Sequence, residues 1–278
     1  MDKYEDKCKK LWEVLEQYAR ENNMVAFSGG VDSSLLLWLL CRKSKEYGTE
    51  VYAVTLHTTL HPAAELDITR AAAKEAGAHH KIIYVDELKK AGIEDNPKDR
   101  CYRCKKYMFT RVLEEAEKLG IRTIIEGTNL DDTQEYRPGI QALKEIGIKS
   151  PLIEAGFTKA DVRKLAKQLG ISTAEKPSTP CLATRFPYDT HLTYEEMKKV
   201  DVMEENIRAM GFYNVRTRVH GNLVRIEVDK KDIPMLLERS EEVVKQVKEE
   251  GYVYVTIDLE GFRSGSQDVL LHDLQQKG

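Results

Sequence analysis

No stretch of the 278 residues reaches the roughly 18 apolar residues in a row that a membrane-spanning helix requires. The opening MDKYEDKCKKLWEVLEQYAREN is charged and helix-patterned and has no apolar signal core, so the expectation is a soluble, cytoplasmic protein with no membrane partner. A large excess of one charge is missing as well, the formal net charge being −3. There are 30 basic against 28 acidic residues up to Phe186 and 13 against 18 beyond it, so neither part is strongly basic and nucleic acid is not the default partner. Cysteine is sparse: five residues, odd in number and irregular in spacing, argue against a secreted disulfide framework and leave catalysis, metal binding or burial. Internal repeats and low-complexity tracts are absent too.

What is present is enough apolar residue, 41%, to fill the core of one large domain or two modest ones. Short apolar runs (MVAFS, VYAVTLH, HKIIYV, TIIEGTN) alternate with helical patterns from about Val31, from Ala63 to Ala76 and from Pro97 to Leu119. Strand and helix in alternation predict an α/β fold with a parallel sheet, whose ligands bind at the carboxyl ends of the strands. Residues 170–193 carry three prolines and many small polar residues, which predicts a long loop and a boundary near Phe186-Pro187. This gives a first domain over 1–186. A small α+β domain follows over 187–278: a helix from Tyr194 to Met210, a hairpin turning near Gly221-Asn222, a helix from Lys230 to Glu250, and YVYVTIDL as the last strand.

SGGVDSS is neither a Walker loop nor G-x-G-x-x-G. Ser28, Gly29 and Gly30 follow a strand, and Val31, Asp32, Ser33 and Ser34 open a helix whose N-terminal donors suit a pyrophosphate, with Asp32 placed to hold Mg²⁺. The plainer alternative is a turn with Asp32 and the serines as helix caps. EGTNLDD, residues 126–132, stands after a later strand; it reads as a second nucleotide-side element or as a turn in which Asp131 or Asp132 caps a helix. With S-G-G-x-D-S after the first strand, the chain resembles the PP-loop ATP pyrophosphatases over roughly residues 22–170. That resemblance implies a loop gripping the pyrophosphate that leaves ATP, with Thr128 and Asn129 beside the nucleotide.

Cys101 and Cys104 lie one turn apart at a predicted helix start, and Cys181 lies in the proline-rich loop. Three thiolates make an incomplete structural zinc site but suit a 4Fe–4S cluster with one iron open; two buried structural cysteines are the alternative. Cys8 and Cys41 sit in amphipathic patterns and read as packing residues, and His57, His61 and His220 as surface or hairpin residues.

Taken with CYRCKK, PSTPCLATRFPY and VRTRVHGNLVRIEV, the chain resembles the LarE family of ATP-dependent sulfur transferases, which serve nickel-pincer nucleotide synthesis. The resemblance implies adenylation of a carboxylate of pyridinium-3,5-biscarboxylic acid mononucleotide and its conversion to a thiocarboxylate. ATP and Mg²⁺ are implied, as is a cluster on Cys101, Cys104 and Cys181 that binds the sulfur; the variant within the family is Cys181 as a sacrificial donor. Lys105 would neutralise the α-phosphate or the substrate, or is a solvated helix-face lysine. Arg216 and Arg218 share a strand face, which reads either as a solvated face paired with Glu227 or, through the resemblance, as the holder of the mononucleotide phosphate with Glu204 and Glu227 nearby. Thr184 and Arg185 are weaker candidates for that pocket. A homo-oligomer is implied, and the sulfide source is unknown. The rivals are tRNA thiolation, an amide-forming ligase and a nucleotide-binding regulator.

Overall fold

Four parallel strands form the first sheet: β1 (Asn23–Ala26), β2 (Val51–Thr58), β3 (His79–Val85) and β4 (Thr123–Ile125), in the order β3-β2-β1-β4. The computed structural model describes residues 3–61, 65–134, 138–176, 180–263 and 265–267; the predicted helix start at Ala63 and the Pro177-Ser178-Thr179 part of the long loop lie outside them. Strand β1 is paired at both edges and covered on both faces, and the cover on both faces is why Met24, Val25 and Ala26 read as an apolar run. Edge strand β3 instead alternates and exposes Tyr84. From β1 the chain steps out through β2 and β3 and returns to β4 on the other side, so the strand order reverses between β1 and β4.

The helices of this unit are α1 (Lys3–Tyr18), α2 (Val31–Tyr47), α3 (Glu65–Ala76), α4 (Glu87–Lys90), α5 (Arg100–Lys118), α6 (Pro138–Ile146), α7 (Pro151–Glu154) and α8 (Lys159–Gln168). Leu11 and Leu15 of α1, Leu35, Leu36, Leu39 and Leu40 of α2 and Val162 of α8 fill one core with Val25 and Ala53. Met24, Val54 and Ile124 point the other way, against Val112 and Ala116 of α5. Helices therefore cover both faces. Each fully buried leucine contributes about 1.5–3 kcal/mol, and α2, buried on nearly every side, accordingly lacks a polar stripe through LLLWLLC. Cys41 lies in this core and Cys8 packs against it, both as packing residues; burial pushes the Cys41 thiol up to about 12.

Residues 94–98 and the described residues from 180 onward make a second compact unit. It contains α9 (Tyr194–Ala209), β5 (Val215–His220), β6 (Leu223–Val228), α10 (Ile233–Glu238), α11 (Ser240–Glu249) and β7 (Tyr254–Ile257). Strands β5 and β6 form the hairpin around Gly221, whose φ is +62°, and β7 pairs parallel to β6. Residues 180–186, assigned to the first domain on proline content, group with this unit. Asn96 Nδ2 donates to the carbonyls of Phe186 (3.1 Å) and Pro187 (2.6 Å), and the Arg185 side chain is bonded to Glu204. The single helix predicted over 230–250 is a 3₁₀ turn (Lys230–Asp232) and two helices. Pro234 fits only a helix start, and at Arg239 the backbone leaves helical geometry while its side chain donates to Met210 O at 2.7 Å.

Candidate functional site

The segment Ser28 to Ser34 turns at the carboxyl end of β1, at the reversal of strand order. Gly29 has φ +71°, and a Cβ there would lie 2.6 Å from Thr69 Cγ2 on α3, so both backbone conformation and space require glycine. Gly30 is the N-cap of α2, with extended backbone and no side-chain cap. Ser33 Oγ donates to Gly30 O at 3.2 Å and lies 3.2 Å from Ser28 Oγ, so these hydroxyls brace the loop itself. The first-turn N–H groups of α2, with buried Val31 and Ser34 behind them, are left for an anion.

The turn after β4 closes on this loop. A Cβ on Gly127 would stand 3.0 Å from Ser33 N and 3.1 Å from Asp32 Cβ. Asn129 Nδ2 donates to Asp32 Oδ1 at 3.2 Å, which joins SGGVDSS and EGTNLDD in one site. Carboxylates hold the turn: Glu126 accepts from Thr128 N (3.0 Å), Thr128 Oγ1 (2.6 Å) and Ser150 Oγ (2.5 Å), and Asp132 accepts from Asn129 N (3.0 Å). Thr128 thus braces the turn while Asn129 reaches the loop.

Three basic residues that the sequence reading passed over converge here. The Lys159 ammonium pairs with Asp32 Oδ2, and Lys159 N donates to Asp131 Oδ2 at 2.8 Å. Lys176 Nζ donates to Gly29 O at 3.4 Å, and Arg163 holds the carbonyls of Ala174 (2.8 Å) and Lys176 (3.0 Å). A signal existed: Thr158 and Asp161 form a capping box that puts Lys159 first in α8, where a helix favours acids over cations. A local rule broken at a helix start is a pointer to a site. Asp32, a hard oxygen donor already carrying a cation beside the cradle, is chemically suited to Mg²⁺.

Cys101 and Cys104 stand on the first turn of α5 in the first unit, exposed and half-buried respectively, and not in a core. Lys105 lies along α6, where a Cβ on Gly139 would be 2.8 Å from its Cγ, and its ammonium sits 5.1 Å from the Phe109 ring centre. Cys181 is half-buried in the second unit, its carbonyl accepting from Thr184 N (3.0 Å), Thr184 Oγ1 (2.7 Å) and Arg185 Nη1 (3.1 Å). Among the described residues no group of three or more His, Cys, Asp or Glu is gathered as a metal site.

The second unit buries a layer of ions. Arg185 and Glu204, both 0% exposed in their side chains, pair through two bonds of 2.8 Å, and Glu204 also accepts from Arg208 (2.8 Å) and Thr217 N (3.0 Å). Arg218 pairs with Glu227 through two bonds of 3.0 Å and donates to Thr184 O at 2.6 Å. Arg225 bonds Glu227 at 3.2 Å and lies 3.4 Å from Asp258. Among the described residues, Arg185, Arg208, Arg218 and Arg225 thus pair with Glu204, Glu227 and Asp258, with Arg263 3.8 Å from Asp258 and Arg216 buried in the same unit. Arg216 lies 5.0 Å from the Phe262 ring centre, and burial followed by the nearby Arg185 pushes its guanidinium down to about 10. Burial pushes the Glu204 carboxyl up, but Arg185 and then Arg216 outweigh it and hold it below the usual range. Guanidinium forks gathered in this way are chemically suited to an anion. His220 is exposed at the hairpin end of β5.

The PP-loop domain family matches residues 3–137. Over nine-tenths of both chains, the protein is 36% identical to the pyridinium-3,5-bisthiocarboxylic acid mononucleotide synthase of Lactiplantibacillus plantarum. An uncharacterized protein of Synechocystis is also 36% identical, over 89% of this chain and 92% of that one. A tRNA-specific 2-thiouridylase of Herpetosiphon aurantiacus is 29% identical over 56% of this chain and 53% of its own. With a glycine loop at the sheet's reversal point and a synthase similar along nearly its whole length, the chain belongs to the LarE family of PP-loop enzymes and is an ATP-dependent sulfur transferase.

Proposed function

We propose that the enzyme adenylates a carboxylate of pyridinium-3,5-biscarboxylic acid mononucleotide and converts it to a thiocarboxylate, toward a nickel-pincer nucleotide. The observation that carries the substrate assignment is the group of three buried arginines, Arg185, Arg216 and Arg218, whose guanidinium forks suit a phosphomonoester. A carboxylate oxygen attacks the α-phosphorus, the bond to the β-phosphate oxygen breaks, and pyrophosphate leaves with the electron pair. Loop amides stabilise that charge. Sulfur then attacks the acyl carbon and AMP departs. Asp32 would hold Mg²⁺, which offsets phosphate charge when bound.

Cys101, Cys104 and Cys181 are the thiolates that would hold a 4Fe–4S cluster. The exposure of Cys101, and the place of Cys104 outside any core, support ligation over packing. When bound, such a cluster supplies sulfide and spares the protein's own sulfur. Arg185 and Thr184 fix the Cys181 backbone, and Lys105 is placed one residue beyond the second thiol. The reading carries with it a cytoplasmic homo-oligomer acting on a small molecule, not on nucleic acid.

The test is anaerobic protein, assayed for iron and labile sulfide, given ATP, Mg²⁺ and the mononucleotide. Expected are pyrophosphate release, a thiolated product and an unchanged polypeptide mass. Arg216→Met and Arg218→Met should each lower kcat/KM about tenfold or more, the loss of one charged hydrogen bond. Turnover on tRNA in place of the mononucleotide would overturn the substrate assignment. Loss of H₂S from Cys181 would replace the cluster route by sacrificial transfer.

A further inference from the structure

We infer that Lys159 and Lys176 form a pyrophosphate clamp, and that Lys159 holds Asp32 until the metal displaces it onto the leaving group. The inference rests on the adenylating reaction proposed above and adds to it the residues that take up the departing charge.

Four carboxylates crowd a loop shaped for phosphate. Glu126, Asp131 and Asp132 each accept a backbone N–H, of Thr128, Lys159 and Asn129 respectively, and so serve as fixed braces. The bonds on Asp32 come instead from two side chains, the Asn129 amide and the Lys159 ammonium. A carboxylate facing a triphosphate repels it unless a cation stands between them, and in this structure that cation is Lys159.

Lys159 can leave without unravelling its surroundings. Its backbone is anchored by Asp131 and by the capping box at the start of α8, while its charge rides on a flexible four-carbon stem that is partly solvent-exposed. Metal on Asp32 would release the ammonium beside the loop, where the only new negative charge is that of the phosphates. Lys176 reaches the same loop at the Gly29 carbonyl. Its position is set by Arg163, one turn beyond Lys159 on α8, through the carbonyls of Ala174 and Lys176. One helix thus supplies the first lysine directly and the second through a positioning residue.

The test uses the full-length protein without ATP, with Mn²⁺ as the metal probe and inorganic pyrophosphate with Mg²⁺ as the anion probe. In Lys159→Met, Mn²⁺ should bind at least about tenfold more tightly because its competitor is gone, and pyrophosphate at least about tenfold more weakly. Pyrophosphate release from ATP should fall about 10²–10³-fold, as for loss of one donor to developing charge. Lys159→Gln is carried in parallel to guard against misfolding and should shift both affinities in the same directions. Lys176→Met and Arg163→Met should weaken pyrophosphate while leaving Mn²⁺ unchanged, which separates clamp from guard. Mn²⁺ affinity within about threefold of the parent in both Lys159 variants, or unchanged pyrophosphate affinity in all four, would overturn the inference. If the parent itself releases no pyrophosphate with the mononucleotide, the proposed reaction fails, while the two binding titrations still decide the clamp.

Discussion

In the first unit the proposed anion site is made of backbone: two glycines, one at φ +71°, let a loop and a helix start turn their N–H groups outward, with two lysines added at the rim. In the second unit the proposed anion site is made of side chains, arginines set among three carboxylates in a layer of which Arg185 and Glu204 are wholly buried. A backbone site is compact in sequence and intolerant of a single added methyl. A side-chain site is scattered from Arg185 to Asp258, and it holds its charges at a standing cost in desolvation. The two should therefore break differently: the first in binding with a modest loss of stability, the second in folding.

The largest effect expected is from Glu204→Ala, which leaves Arg185 buried without its carboxylate and should cost about 3–5 kcal/mol in denaturant unfolding. If the variant unfolds like the parent, the buried layer does not hold this unit together. The same carboxylate predicts an acid limb. Because its folded pKa lies below the unfolded value of about 4.3, its stabilisation is complete above that pH and disappears as pH falls through the lowered value. Glu204→Gln should flatten that limb, as read from melting temperature against pH.

Next is Gly29→Ala, where a left-handed φ and the contact with Thr69 should together cost about 1–3 kcal/mol and sharply weaken ATP binding. Adding Thr69→Ser removes the Cγ2 clash but not the φ strain, so it should recover part of the stability and little of the binding. Full recovery would mean that space alone makes Gly29 necessary. The smallest effect is from Thr158→Ala, which removes the capping-box hydroxyl and should cost about 1 kcal/mol, with a weaker response of ATP turnover through the displaced Lys159.

The contrast between the two sites also explains what could be read beforehand. SGGVDSS and EGTNLDD were legible because local turns and helix starts are encoded by neighbouring residues, and the sheet order puts both at one end of adjacent strands. Lys159 and Lys176 were not legible as site residues, since lysines on helices and loops are common and only the packing of α8 aims these two at the loop. The helix expected over 230–250 divided because Pro234 and the Arg239–Met210 bond outweigh a continuous helical pattern. Arg216 and Arg218 were legible as a pair on one strand of a hairpin, with Glu227 as a partner, but their burial and the place of Arg216 beside Phe262 needed the folded unit.

The sequence by itself determined the parallel α/β unit, the glycine loop and the two-thiol helix start, because period, turn chemistry and short spacing act between residues close along the chain. Tertiary structure alone decided which cations face the loop and which carboxylates neutralise the buried arginines. Those are Coulomb and hydrogen-bond contacts over a few ångströms between residues as far apart as Asp32 and Lys159, and only the folded chain brings them within reach.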